Sequence, residues 1–247
     1  MWKACSLNPI QVDLFQAARR RFDLKPLVIH VNYLVNLASL DQVIRTKSIQ
    51  SFRGELERAA TLGADYLVLH PGSHRDRSVE EGIAAFVLGL QEAAHGMPGN
   101  RVTVLLENTV GAGCHLGARL QQLHLIRDLA RELTDLPIGY CLDTCHLLAA
   151  GFDIVTPAGL NATLRAVDEH LGLANVHVIH ANDSKAPMGS RIDRHAHIGE
   201  GHIGAEAFRR ILRHPKLRAK PFILETPIDN PGDDRRNLDL LKSLARA

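Results

Sequence analysis

A cluster of histidines and acids in the last third of the chain raises the question of metal or proton chemistry. The segment 192–204 reads IDRHAHIGEGHIG and holds three histidines and two acids. It has too many glycines for a helix and too few apolar residues for a core strand. The whole chain has 14 histidines against three tyrosines and one tryptophan. Imidazole binds metals and titrates near neutral pH, so this composition favours metal or proton chemistry.

Further candidate ligands stand at the ends of six short apolar runs. The runs are continuous and rich in Val, Ile and Leu, as expected of parallel strands covered on both faces. They span residues 26–30, 65–70, 102–107, 138–143, 176–180 and 221–225, and they end on His30, His70, Glu107, Asp143, His180 and Glu225. Any one of these could be an ordinary strand-end residue. The carboxyl ends of parallel strands meet at one face of a barrel, so we expect all six to converge there.

A convergence of carboxylates and imidazoles predicts a cluster of more than one divalent metal ion. Without a cation the carboxylates would repel one another and would lose hydration without compensation. Nitrogen and oxygen ligands without a thiolate suit zinc, with manganese or iron as the alternatives.

The segments between the runs have the apolar spacing of helices. They cover residues 51–64, 79–95, 116–135 and 157–172. Alternating strands and helices predict repeated right-handed βαβ units and an α/β fold. There is no linker or change of composition along the chain, so we expect residues 1–247 to form a single domain.

Composition and the N-terminal sequence exclude several protein classes. With 247 residues, 45% of them hydrophobic and 23% charged, the chain resembles an ordinary globular protein. It has no run near the roughly 20 apolar residues of a membrane span, and no signal peptide, which predicts a cytoplasmic location. Cys141 and Cys145 flank Asp143 but fit core packing better than zinc binding. A net charge of +2 neither demands nor excludes a polyanionic partner.

Seven motifs, in chain order from about Trp2 onward, resemble the endonuclease IV family of apurinic/apyrimidinic (AP) endonucleases. They are HVNYLVNLAS (30–39), HPGSH (70–74), LENTVGAG (106–113), CLDTCHLLAAGFD (141–153), HANDSK (180–185), SRIDRHAHIGEGHIG (190–204) and LETP (224–227). The resemblance implies a TIM (β/α)8-type barrel. It also implies a zinc-dependent hydrolase that cuts the phosphodiester 5′ to abasic sites in duplex DNA and leaves a 3′-hydroxyl, as in base excision repair. No membrane and no obligate protein partner is expected.

The same resemblance implies three zinc ions, with manganese as an alternative at one site. The implied ligands are His30, His70 and Glu107 for the first ion, Glu107, Asp143, His180 and Glu225 for the second, and His146, Asp193 and His195 for the third. Glu107 and Glu225 are the candidate catalytic residues: Glu107 as the shared ligand, Glu225 as a group that orients or deprotonates the attacking water. His197 would point the same way as Asp193 and His195 in an extended loop, but it is not a ligand in the family pattern.

Two further groups of residues are candidates for DNA recognition. Tyr33 and Leu34 occupy the position at which family members insert side chains at the lesion, although from the sequence alone a Tyr-Leu pair after a strand is more often core. Basic residues in the same loops are candidate phosphate contacts. They are Lys3, Arg75, Lys185, Arg191 and Arg194.

The beginning of the chain differs from the family pattern. A family barrel has eight strands, and the first two, with the helix between them, would precede Trp2. Six parallel strands would leave open edges, so we expect this chain alone to be poorly soluble or weakly active.

Two alternatives to an AP endonuclease remain open on the sequence. One is a sugar isomerase or epimerase of the xylose isomerase-like barrels, which also place carboxylates and histidines at strand ends around one or two metals. The other is an inactive fragment that binds metal or DNA. Zinc stoichiometry separates the endonuclease from the isomerase, and incision at an abasic site separates it from both.

Overall fold

The computed structural model of the chain describes residues 6–75, 77–97 and 102–246. Lys3, one of the predicted DNA contacts, lies outside these residues. The strands are β1 (Val28–His30), β2 (Tyr66–Leu69), β3 (Thr103–Glu107), β4 (Ile138–Asp143), β5 (Val176–His180), β6 (Asp183–Ser184), β7 (His195–Ala196) and β8 (Phe222–Ile223). The α-helices are α1 (Pro9–Arg21), α2 (Gln42–Leu62), α3 (Val79–Ala94), α4 (Leu120–Leu133), α5 (Thr144–Ala150), α6 (Pro157–His170), α7 (Gly204–Arg213) and α8 (Asp233–Arg246).

All six predicted apolar runs contribute strands to one sheet, which confirms the α/β prediction. The strand order is β1-β2-β3-β4-β5-β8, and β6 and β7 form a separate two-stranded sheet. The chain divides into two compact units. The first comprises residues up to 107 together with 122–139, and the second comprises 108–121 and the residues from 140 onward.

The first unit contains the parallel strands β1, β2 and β3, with His30 opposite Val68 and Leu69 opposite Leu106. Buried aromatic and aliphatic side chains form its core, and they include Phe52, Leu56, Leu67, Phe86 and Leu105. Local sequence sets the helix ends. The Asp41 carboxylate accepts hydrogen bonds from two backbone N–H groups at the start of α2, and Ser78 and Glu81 form a capping box at the start of α3.

The second unit contains β5 between β4 and β8, and it carries the helices α5 to α8. Asp143 is the last residue of β4 and also caps α5, because its carboxylate accepts a hydrogen bond from the backbone N–H of His146 at 2.7 Å. The strand therefore passes directly into a helix. Asp143 at the end of the strand and His146 in the first turn of the helix therefore lie close together.

Several element boundaries differ from the sequence prediction. The run 221–225 forms a strand only at Phe222–Ile223, because the backbone N–H of Glu225 donates to the Asn182 side chain instead of continuing the ladder. Helix α4 begins at Leu120 rather than 116, because Gly117 has a φ of 96° and accepts a hydrogen bond from Thr109. Among the described residues, no helix is both long and apolar enough to cross a membrane.

Candidate metal centre

A first group of predicted ligands comes together in the first unit. Glu107, the last residue of β3, is wholly buried, and its Oε2 lies 3.0 Å from Nε2 of His30 and 3.1 Å from Nε2 of His70. His30 ends β1 and His70 follows β2, so the parallel register of the three strands sets this convergence. The ligand atoms of the three residues lie within 4.8 Å of one another, close enough to share one metal ion.

A second group lies in the second unit. The ligand atoms of Asp143, His180 and Glu225 lie within 4.8 Å of one another, and Nδ1 of His180 is 3.1 Å from Oε2 of Glu225. Asp143 and His180 are buried and opposite each other in the β4–β5 ladder. The ends of two adjacent parallel strands therefore supply two of the three candidate ligands.

A third group shares Asp143 with the second. Asp143, His146 and His195 place ligand atoms within 4.8 Å of one another. Asp193 joins them, since its Oδ2 is 3.2 Å from Nε2 of His146 and its Oδ1 is 3.4 Å from Nε2 of His195. His146 lies on α5, Asp193 lies in the loop that leads into β7, and His195 is the first residue of β7.

Backbone carbonyls orient three of these imidazoles toward the ligand groups. The Nδ1 atoms of His30, His146 and His195 lie 2.7, 2.9 and 3.0 Å from the carbonyl oxygens of Val31, Asn108 and Glu225. A ring that donates from Nδ1 keeps a lone pair on Nε2, which is the arrangement of metal-binding histidines. In each case Nε2 faces a carboxylate of its group.

The donor atoms fit a divalent cation. The buried Nε2 of His195 faces Asp193 but forms no hydrogen bond with any of the described residues, so a metal ion would satisfy this atom. All nine predicted ligands fall within these groups, and the groups combine imidazoles with carboxylates, which suits zinc.

The electrostatics of the third group favour positive charge. Burial would raise the pKa of the Asp193 carboxyl, but the nearby imidazoles of His146 and His195 hold that pKa well below its usual range. Burial would lower the pKa of the His195 imidazole, but the nearby carboxylates of Asp193 and Asp143 raise that pKa to about 9. The same carboxylates would attract a metal ion.

The neighbouring cysteines and His197 are placed differently from the ligands. Cys141 and Cys145 are buried, as core packing predicts. Cys145 lies within reach of Asp193 and His195, but burial and the nearby Asp143 carboxylate raise the pKa of its thiol to about 12, which disfavours the thiolate that binds zinc. His197 turns away, with its Nδ1 3.0 Å from the side-chain amide of Asn237.

The predicted DNA-contacting side chains are largely exposed. Tyr33 is 85% exposed, which excludes the core interpretation, and Leu34 is half-buried. The Asn32 side chain accepts a hydrogen bond from the Leu34 backbone N–H at 2.9 Å, so a local turn presents Tyr33 to solvent. The four predicted basic contacts among the described residues are exposed as well, namely Arg75, Lys185, Arg191 and Arg194.

Two of these arginines have uncommon backbone conformations. Arg75 and Arg191 have φ values of 53° and 57°, in the left-handed region that side chains other than glycine rarely adopt. Such residues are concentrated in functional loops.

Three buried polar residues around the groups are not among the residues that the sequence predicted to be functional. The Asn182 amide nitrogen is 2.5 Å from Oδ2 of Asp143 and 3.4 Å from Oε2 of Glu225. The Asn108 side chain accepts a hydrogen bond from the Asp143 backbone N–H at 2.8 Å. The Asp183 carboxylate accepts hydrogen bonds from five backbone N–H groups. Asn108 directly follows the candidate ligand Glu107, and Asn182 and Asp183 come two and three residues after the candidate ligand His180. Their positions next to candidate ligands are the sequence feature that could have identified them.

Comparison with known proteins gives consistent matches along nearly the whole chain. The model of the xylose isomerase-like TIM barrel family matches residues 4–244. A Solibacter usitatus protein named "Probable endonuclease 4" is 72% identical over 99% of this chain and 84% of its own length. A Chloroflexus aurantiacus protein of the same name is 42% identical over 99% of this chain and 86% of its own. The crystal structure of endonuclease IV from Thermus thermophilus is 37% identical, with a TM-score of 0.85 over 99% of this chain and 84% of that one.

Proposed function

The chain belongs to the endonuclease IV family of xylose isomerase-like TIM barrels, and we propose that it is a metal-dependent AP endonuclease. It hydrolyses the phosphodiester 5′ to an abasic site in duplex DNA and leaves a 3′-hydroxyl. The observation that carries this proposal is that all nine candidate ligands lie in groups of closely spaced carboxylates and imidazoles, and that backbone carbonyls orient three of the five imidazoles.

The metal complement is proposed as three zinc ions, with manganese as an alternative at one position. The first is held by His30, His70 and Glu107, the second by Glu107, Asp143, His180 and Glu225, and the third by His146, Asp193 and His195. Bound divalent metal lowers the pKa of water toward about 7 and neutralises charge on a leaving oxygen. The shared role of Glu107 follows the family pattern, and its wholly buried carboxylate between two histidines supports it.

The chain's own groups then orient and bind. The Glu225 carboxylate is one-third exposed, so it can accept a proton from an attacking water. Tyr33 and Leu34 are proposed to enter the DNA at the lesion, because Tyr33 stands exposed on a turn directly after the ligand strand β1. Phosphate contacts are proposed for Lys3, Arg75, Lys185, Arg191 and Arg194. Residues 1–247 are proposed to act as a single catalytic domain.

The sugar isomerase alternative is less well supported. Its usual site needs one or two metals, which would leave the group of His146, Asp193 and His195 without a role. The relative at 72% identity is named an endonuclease.

The test is incision of a duplex that carries one abasic site, with the undamaged duplex as the control. We expect a single cut 5′ to the lesion, and a product whose 3′ end a DNA polymerase can extend. A protein that carries metal but leaves the abasic duplex uncut would refute the proposal.

A further inference from the structure

Asp183 is a buried carboxylate for which the proposed reaction has no direct use. Its side chain is wholly buried. The backbone N–H groups of Ser184 and Ile203 donate to Oδ1 at 2.8 and 2.9 Å, and those of Gly199, Gly201 and Gly204 donate to Oδ2 at 2.9, 3.1 and 3.2 Å. Five peptide dipoles therefore compensate the negative charge of Asp183. Because the acceptor is ionised, these hydrogen bonds are stronger than hydrogen bonds between neutral groups.

These hydrogen bonds shape the loop that leads into α7. Ile203 is the N-cap residue of α7 and offers no side-chain cap, so Asp183 takes that role from outside the helix. Gly201 lies so close that an added Cβ would overlap the Asp183 carboxylate and the Ser184 carbonyl oxygen. Only glycine fits at that position without displacing Asp183.

The same residue anchors the strand that carries a predicted ligand. Asp183 and Ser184 form β6, which pairs antiparallel with β7, and Ser184 stands opposite His195. The Lys185 backbone N–H donates to the Arg194 carbonyl oxygen at 2.9 Å and extends this pairing toward Asp193. The His202 backbone N–H donates to the Ser184 carbonyl oxygen at 2.8 Å and ties the loop to β6.

We propose that Asp183 is a positioning residue for the third metal group. It holds β6 and the 199–204 loop together, so that β7 presents His195 and Asp193 to the ion. Its five hydrogen bonds all come from backbone N–H groups, so the side chain acts through the backbone rather than directly on a ligand. This inference rests on the proposed function, because it concerns the third of the proposed ions.

The test is the metal content of Asp183→Asn. Asparagine has the same size but replaces one acceptor oxygen by an NH2 group that would face backbone N–H donors. We expect this variant to lose on dialysis the same metal that His195→Ala loses. Zinc affinity at that position should fall about 10- to 100-fold, and added zinc should restore incision in Asp183→Asn. A general folding defect would release all bound metal, whereas loss of positioning should release only the ion that His195→Ala loses.

Asp153→Asn is the matched control. The Asp153 carboxylate also accepts backbone N–H groups ahead of a helix, those of Val155 and Thr156 at 2.8 and 2.9 Å, but it is not part of the metal groups. We expect Asp153→Asn to keep the wild-type metal content and the wild-type zinc dependence of incision.

The possible outcomes separate this inference from the proposed function. If Asp183→Asn retains the metal that His195→Ala loses, the positioning role of Asp183 is wrong, and the proposed function is unaffected. Should Asp183→Asn fail to fold, Gly201→Ala decides in the same assay, because its added methyl pushes on the same carboxylate; normal metal content in Gly201→Ala would overturn the inference. Equal metal in wild type and His195→Ala would refute the third site itself, and the inference with it.

Discussion

At the level of single residues, the metal groups depend on buried acids that histidines and amides surround. Glu107 shows this most clearly, since its carboxylate is wholly buried and its two histidine neighbours lie at 3.0 and 3.1 Å. A carboxylate in this position is costly without a positive partner. We therefore expect the site to require the negative charge of Glu107 and not merely a side chain of its size.

We expect Glu107→Gln to lower the rate of incision at an abasic site about 100-fold or more, because a neutral amide replaces an anionic ligand of nearly the same shape. His124→Ala is the control. His124 lies on α4, where its ring pairs with the exposed Asp128 at 3.2 Å, and its loss should change the rate little. Single-turnover incision of an abasic duplex measures both variants. Equal rates for wild type and Glu107→Gln would contradict the assigned role.

The proposed role of Tyr33 in DNA binding can also be tested by a single substitution. If its ring stacks in the DNA at the lesion, Tyr33→Ala should weaken binding to an abasic duplex by about 1 to 3 kcal/mol, the scale of one base–aromatic contact. Metal content should stay the same. Phe22→Ala removes another exposed aromatic ring, 62% accessible and outside the motif loops, and should leave binding unchanged. Loss of metal in Tyr33→Ala would instead assign the ring a structural role.

At the level of structural elements, the loops after β1 and β2 are held together by one side chain. The Asn36 amide donates to the Ser73 carbonyl oxygen at 2.9 Å and accepts the Ser73 backbone N–H at 3.0 Å. Gly72 lies against this bridge, with a φ of 83°, and an added Cβ would overlap Oδ1 of Asn36. The loop that follows His70 therefore needs glycine for both its backbone conformation and its close approach.

Gly72→Ala and Gly96→Ala separate these two requirements. Gly96 also has a positive φ, of 70°, but no atom of another described residue lies within 4 Å of an added Cβ. Both variants strain a left-handed backbone, while only Gly72→Ala displaces Asn36 and its two hydrogen bonds. We expect Gly72→Ala to lower the free energy of unfolding by about 1 to 3 kcal/mol more than Gly96→Ala does. Urea unfolding measures the difference, and equal losses would show that the bridge contributes nothing.

For the protein as a whole, metal binding and stability are linked. Each ligand group places carboxylates close to other polar atoms in partly or wholly buried positions. An ion that binds only the folded chain stabilises it, by about 2.7 kcal/mol when its free concentration is 100 times the dissociation constant.

Removal of metal should therefore lower both stability and activity. We expect a zinc chelator to lower the Tm by roughly 5 to 10 °C, a shift that corresponds to a few kcal/mol in a chain of this size, and to abolish incision. Zinc should restore both, and magnesium should not, because imidazole-rich sites disfavour it. Calorimetry and elemental analysis before and after dialysis provide the test. An unchanged Tm in metal-free protein would show that the groups do not bind ions tightly.

The strands, the α/β class and the identity of the candidate ligands could be predicted from the amino-acid sequence. Continuous apolar runs form buried parallel strands for local reasons of propensity and burial, and a residue at the end of such a strand must lie at the edge of the sheet. The six runs and the candidate ligands His30, Glu107, Asp143 and His180 at strand ends could be located for this reason. The motif resemblance added His146, Asp193 and His195, which no strand pattern indicates.

How those ligands are held became visible only in the folded chain. Asn182 joins Asp143 to Glu225 from 39 and 43 residues away, and Asp183 gathers amides up to 21 residues further along the chain. The orientation of His197 toward Asn237 likewise depends on a neighbour that is distant in sequence. Such contacts follow from the three-dimensional path of the backbone, because a hydrogen bond requires a distance and an angle that residue types and spacing do not specify.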